Sequence, residues 1–207
     1  MNWLCSTAIL SNRIQPRTTA KKISLDVRRN HDEAERLYRK ALELDPKNAS
    51  ITRSFASFMT DVRRNHDEAE RLYRKALELD PKDANIIGGF AVFMYLIRKN
   101  NNEVERLCRK ALMLDPKHAN NNANFAFFNW KELKNYDEAE RLYRRAFELG
   151  LKDTFHANNF AKFMEETRKD IPEANRLFLL ALKLNPDFQD AKTEYGRFLK
   201  EHPEYAK

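Results

Sequence analysis

The sequence predicts an all-α chain, a solenoid of tandem antiparallel helix pairs, on three observations. Helix formers dominate and glycine is scarce, at 4 among 207 residues. A charged, apolar-striped segment recurs with a fixed period, since Glu33, Glu68, Glu103, Glu138 and Glu173 follow one another in steps of 35. A second apolar stripe, also at helical spacing, lies between the copies. Two short amphipathic helices cannot bury their stripes alone, whereas stacked pairs can.

The recurring segment is the second helix of each pair, here called helix B. Asp26–Lys47 reads DVRRNHDEAERLYRKALELDPK, and Asp61–Lys82 repeats it residue for residue. The copies continue at Asn101–Lys117, Tyr136–Lys152 and Ile171–Pro186. Ala34, Leu37, Tyr38, Ala41 and Leu44 fall on one helical face. The expected start is a polar Asn or Asp followed by acids, which suit the positive end of the helix dipole. The expected stop is Asp-Pro or Asn-Pro at Pro46, Pro81, Pro116 and Pro186, with Gly150 replacing it in the fourth copy.

The first helix of each pair, helix A, carries the second stripe. Ile51, Phe55, Phe58, Met59 and Val62 are followed by Ile86, Phe90, Phe93, Met94 and Ile97. Phe125 and Phe128, then Phe160, Phe163 and Met164, then Tyr195, Phe198 and Leu199 continue it. Ala56, Ala91, Ala126, Ala161 and Gly196 follow the first aromatic each time, where a small side chain admits close approach of a paired helix.

A-x-x-x-Y-x-x-A-L-x-L-x-P after an aromatic-Ala helix resembles the tetratricopeptide repeat, over roughly Asp26 to Lys200. The resemblance implies a right-handed superhelix and a protein-interaction scaffold or adaptor, with no enzyme activity. The sequence departs from the family in its period, 35 against about 34, with the extra residue placed in the turn after helix A. It also lacks the family's first helix A aromatic and has Phe where Leu is usual. A 35-residue period also suits pentatricopeptide repeats, which bind RNA, but their Met-x-x-x-Gly signature is absent. An RNA-associated repeat protein is therefore the alternative reading.

The domains read as a basic N-terminal tail or decayed half-repeat at 1–25, the repeat array at 26–186 and a capping helix at 187–207 with Lys192, Glu194, Arg197, Lys200 and Glu201 outward. Residues 1–30 carry +5 of the net +7, so the array itself is nearly balanced, which argues against nucleic acid as partner. No apolar run reaches membrane-spanning length. Two cysteines, Cys5 and Cys108, without disulfide or metal spacing fit a reducing, cytoplasmic location. The basic, acid-free N-terminus also fits a mitochondrial presequence in composition. The chain is expected to be a monomer.

Catalytic residues, metal and cofactors are not expected. His31-Asp32-Glu33 and His66-Asp67-Glu68 sit at helix starts and lack H-E-x-x-H spacing. Cys108 stands where Tyr38, Tyr73, Tyr143 and Phe178 stand, as core packing. In the resembled family, the helix A face two before, two after and five after the first aromatic lines a concave groove. That face carries Val92, Tyr95, Phe127 and Trp130 mid-array, then Lys162, Glu165 and Arg197. These seven are the expected partner-binding residues, for a protein or peptide. Gripping a chaperone's C-terminal carboxylate, as some members do, would need cations flanking Asn124 and Asn159. Gly88, Val92, Ala123 and Phe127 before them, and Phe155, Asp190 and Glu194 after them, supply none.

Overall fold

The computed structural model describes residues 16–206, with side chains from Asn30 onward. The helices are α1 (Pro16–Leu44), α2 (Ala49–Phe58), α3 (His66–Leu79), α4 (Ala84–Phe93), α5 (Asn101–Leu114), α6 (Ala119–Phe128), α7 (Tyr136–Glu148), α8 (Thr154–Phe163), α9 (Ile171–Leu184) and α10 (Gln189–Glu201). No strand occurs among the described residues. The expected pairing holds. α2 packs on α3, α4 on α5, α6 on α7 and α8 on α9, while α2, α4, α6, α8 and α10 contact one another in series. None of the described helices is long and apolar enough to cross a membrane.

The starts and stops follow from the residues named above. Asn65, Asn100, Asn135 and Asp170 each accept the backbone N–H of Glu68, Glu103, Glu138 and Glu173, satisfying a donor that the helix cannot. Gly150, at φ +83°, ends α7. Its N–H meets the carbonyl of Phe147, and Leu151 N–H reaches back to Ala146. Leu151 then packs on Ala146, completing the apolar contact of this stop.

The thirty-fifth residue does not lengthen the turn, contrary to expectation. Helices α2, α4, α6 and α8 each end in a π-helical turn, at Met59–Arg63, Met94–Arg98, Asn129–Leu133 and Met164–Arg168. Arg64, Lys99, Lys134 and Lys169 then take the left-handed region at φ 54–59°. The carbonyls of Met59, Met94, Asn129 and Met164 accept from Asn65, Asn100, Asn135 and Asp170 across the junction. The two identical 22-residue copies differ here. Asp61–Asn65 close such a turn, whereas Asp26–Asn30 lie inside α1, so the expected start at Asn30 is absent. Of the proposed tail, residues 1–15 lie outside the described residues and 16–25 belong to α1.

The core is a ladder of rings. Tyr73 stacks on Phe90 and leans on Phe93, at 5.6 and 5.4 Å between centroids. Tyr143 does the same with Phe160 and Phe163, at 4.8 and 6.1 Å. The solvent side of the ladder is roofed by arginine. Arg63, Arg98 and Arg168 lie over Phe58, Phe93 and Phe163 and reach Asp32, Asp67 and Asp137 of the preceding helix B. Leu133 breaks this series where the others have Arg. The edges also depart from the stripe pattern. Leu37 is 52% exposed although Leu72, Leu107, Leu142 and Leu177 are buried, and Leu44 and Val62 are exposed too. Gly196 needs no small side chain, since nothing lies within 4 Å of a Cβ built there.

Gly88 is the glycine that packing demands. A Cβ there would lie 2.0 Å from Asn121 Oδ1, and Asn121 Nδ2 donates to the Ala84 carbonyl at 2.8 Å in a buried site. Gly88→Ala gains about 1 kcal/mol of helix propensity but must evict that amide. We expect a net loss of about 1–2 kcal/mol, with Gly88→Ala/Asn121→Ala restoring or exceeding the original stability. Urea denaturation of both variants checks this, and an undiminished single variant would contradict the Asn121 contact.

Candidate partner-binding site

The three helix A positions expected to line a groove behave differently. Gly88, Ala123 and Asn158, two before the first aromatic, are buried; Gly88 lies against Asn121, Ala123 packs with Ala146 and Leu151, and Asn158 borders a polar pocket beside Lys162. Ser57, Val92, Phe127, Lys162 and Arg197, two after it, are half-buried along one wall. The third position, five after, falls within the π-helical turns at Thr60, Tyr95, Trp130 and Glu165 and within α10 at Lys200.

Val92, Tyr95 and Phe127 come together as expected. They line a cavity of about 310 Å³ between α4 and α6, with Val104 and Cys108 at its floor and Leu96, Lys99 and Phe155 around it. The Tyr95 ring meets Phe127 and Phe128 edge-on, each at 5.9 Å. Its hydroxyl donates to Glu132 Oε1 at 2.9 Å. Burial, with that carboxylate beside it, pushes the Tyr95 phenol up to about 12.

Trp130 is a correction. It is 5% exposed and belongs to the main core, not to an open wall. Its ring meets Phe163 edge-on at 5.7 Å, its indole N–H donates to Thr167 Oγ1 at 3.0 Å, and Lys131 Nζ sits 3.3 Å from its centre. Its rim touches Phe127 at 6.2 Å, so it supports the wall from behind. Glu165 is likewise 5% exposed. In a π-helical turn each residue advances by less than the about 100° of an α-helix. Tyr95, at the equivalent place in its own π-helical turn, stays half-buried, so the enclosure of Trp130 and Glu165 comes from what the following repeat packs on them, Phe163 and Thr167 on Trp130 and Arg197 on Glu165.

The charged end is also more enclosed than the sequence suggested. Arg197 donates to both oxygens of Glu165, at 3.0 and 2.5 Å, and pairs with Glu194 and Glu201. Arg197 and Glu194 are thus half-buried between α8 and α10 instead of outward. Hydrogen bonds to Glu165 hold the Arg197 guanidinium still more firmly protonated than usual. Glu165, Glu201 and His202 could converge on a metal ion, but the Arg197 cation already claims the Glu165 carboxylate. Lys162 pairs with Glu194 at 2.7 Å and borders a separate polar pocket of about 190 Å³ with Asn159, Asp190 and Thr193. Phe155 borders both pockets.

Sequence reasoning missed Leu96, Lys99, Asn124, Phe155, His156 and Cys108 of the first pocket. One signal was available, the break in the Tyr38, Tyr73, Tyr143, Phe178 series at Cys108. Burial pushes the Cys108 thiol up to about 12, so thiolate chemistry is not its role at neutral pH. Burial lowers the pKa of His156, whose Nδ1 is buried without a hydrogen-bond partner among the described residues.

Comparison with known proteins agrees with this architecture. The family described as TmcB, TPR repeats, matches residues 18–86, and the Sel1 repeat matches residues 132–151. No curated protein matches the chain significantly in sequence. Among solved structures, Pseudomonas aeruginosa PilF is similar with a TM-score of 0.69 at 21% identity, over 89% of this chain and 83% of that one. A thermophilic TPR protein of Thermus thermophilus has a TM-score of 0.68 at 16% identity, over 86% and 94%. YrrB, a TPR protein with an unusual peptide-binding site, has a TM-score of 0.55 at 17% identity, over 83% and 87%. With the 35-residue period, the stacked helix pairs and these matches together, the chain is a TPR-like helical-repeat protein.

Proposed function

We propose that the chain is a non-catalytic scaffold that holds a protein or peptide partner on the wall formed by Val92, Tyr95 and Phe127. The carrying observation is the apolar cavity these three residues line between α4 and α6. Solvent-accessible aromatic clusters of this kind are where interfaces concentrate their binding energy. Trp130 stiffens the wall, while the Lys162, Glu165 and Arg197 network beyond it gives a partner a direction. TPR and Sel1 repeats are typically scaffolds, and the structure of YrrB is described by its peptide-binding site.

The charge arrangement supports a protein partner over a polyanion. On helix B, Arg71, Arg106, Arg141 and Arg176 each hold the Glu three residues earlier, and Arg74, Arg109 and Arg144 hold the Glu four earlier. The array's basic face is matched by its own carboxylates. The test is selection of peptides from a displayed library on the immobilised chain. Selected peptides should bind Tyr95→Ala about thirtyfold more weakly, in a variant with unchanged helical content. Undiminished binding to that folded variant would refute the wall as the site, and recovery of no binding peptide would refute the scaffold reading.

A further inference from the structure

The pocket at the wall exists because a ring is missing from the ladder. At the helix B position preceding each pair of A-helix aromatics, Tyr73, Tyr143 and Phe178 are buried rings. Each lies over the two aromatics of the next helix A; Phe178 meets Tyr195 and Phe198 at 5.9 and 5.3 Å. Phe125 and Phe128 present the same pair, 6.5 Å apart and nearly parallel. In front of them stands Cys108, which has no ring. The cavity of about 310 Å³ is lined by Cys108 and Phe128 and by Val92. Val92 occupies the place of Ser57, whose hydroxyl meets the Tyr73 hydroxyl at 2.9 Å in the preceding repeat. An apolar cavity of about half this volume suffices to bind benzene.

Two further features narrow the occupant. Asn124 and His156 supply polar atoms to the lining, and His156 Nδ1 has no partner among the described residues. At the mouth, Lys99 lies over the Tyr95 ring at 5.6 Å, and no carboxylate of the described residues pairs with it. The nearby Glu132 is committed to the Tyr95 hydroxyl and to Asn101. The unmatched charge at the opening is therefore positive.

We propose that this cavity is a socket for a tyrosine side chain presented by an acidic segment of a partner. The partner's ring lies on Phe128 where the chain's own Tyr73 and Tyr143 lie on Phe93 and Phe163, and the flanking acid meets Lys99. The proposal rests on the scaffold reading and names what its apolar wall recognises.

The probe is p-cresol, the tyrosine side chain alone, followed by ligand-observed NMR and by NOEs to the methyls of Val92 and Val104. The wild type should bind it in the socket, and Cys108→Tyr, which supplies the ring internally, should not. Cys108→Phe gives the same ring without the hydroxyl, as at Phe178, should the tyrosine variant fold poorly. Blocked Asp-Tyr-Asp peptide should bind the wild type more tightly than Lys-Tyr-Lys, with the difference shrinking in Lys99→Ala and at high salt. No cresol binding, NOEs to other residues, or equal binding to wild type and folded Cys108→Tyr would overturn the proposal, as would indifference to peptide charge. If library-selected peptides lack tyrosine and bind Cys108→Tyr as well as wild type, the socket fails while the scaffold reading stands. If no library peptide binds, the scaffold reading fails on its own measurement.

Discussion

Trp130→Ala should destabilise the chain by about 3–5 kcal/mol, the range for removing a buried large aromatic. The indole is enclosed, its edge lies on Phe163, and its N–H satisfies Thr167, so truncation leaves both a hole and an unpartnered hydroxyl. Tyr95→Ala, at the equivalent position one repeat earlier, should cost far less. Its ring is half-buried and its hydroxyl serves an exposed glutamate. Urea denaturation of the two single variants separates these outcomes. Equal, small losses would mean that the Trp130 ring faces solvent. The difference also determines how binding is probed, because Tyr95→Ala reports on the wall and Trp130→Ala reports on the fold.

Phe90→Ala should cost a comparable amount, about 3–5 kcal/mol, and should change the shape of unfolding. Phe90 lies between Tyr73, at 5.6 Å, and the Arg74 guanidinium, at 5.5 Å, joining α3 to α4. In a stacked array each repeat is stabilised by its neighbours, so weakening one central interface uncouples the two sides. The expected melt is broad or biphasic, with the segment before α4 lost first. A single sharp transition displaced by under about 1 kcal/mol would contradict Phe90 as an interface residue.

Most of the fold was legible because burial in a stacked array is periodic. Phe55, Phe90, Phe125 and Phe160 were marked as core by a stripe that recurs every 35 residues, and Asn65 and Asn100 as helix starts by the acids after them. The π-helical turns were not legible, since nothing in MTDVR or MYLIR distinguishes an i→i+5 turn from an α-helical one. Trp130 and Glu165 were placed on the wall because the cover that the following repeat lays over them, Phe163 and Thr167 on one and Arg197 on the other, leaves no mark in their own helices. Val92 and Phe127, which precede the turns, and Tyr95, which lies in one, line the cavity together. Arg197 and Glu194 were taken for solvated charges because an ion pair between α8 and α10 leaves no mark in the spacing of either helix. The socket at Cys108 was visible as a break in a series, but its meaning depended on seeing that no neighbour moves in to fill it.

The π-helical turns also record the chain's history. A one-residue insertion within an α-helix would rotate everything after it by about 100° and turn the apolar stripe away from its partner. Accommodated as a single wide turn closed by a left-handed residue, the insertion leaves both helices facing as before. The four junctions that join separate A and B helices carry it, even where the surrounding residues have diverged from MTDVR to NWKEL. The insertion therefore preceded the duplications: the unit that was copied already had 35 residues.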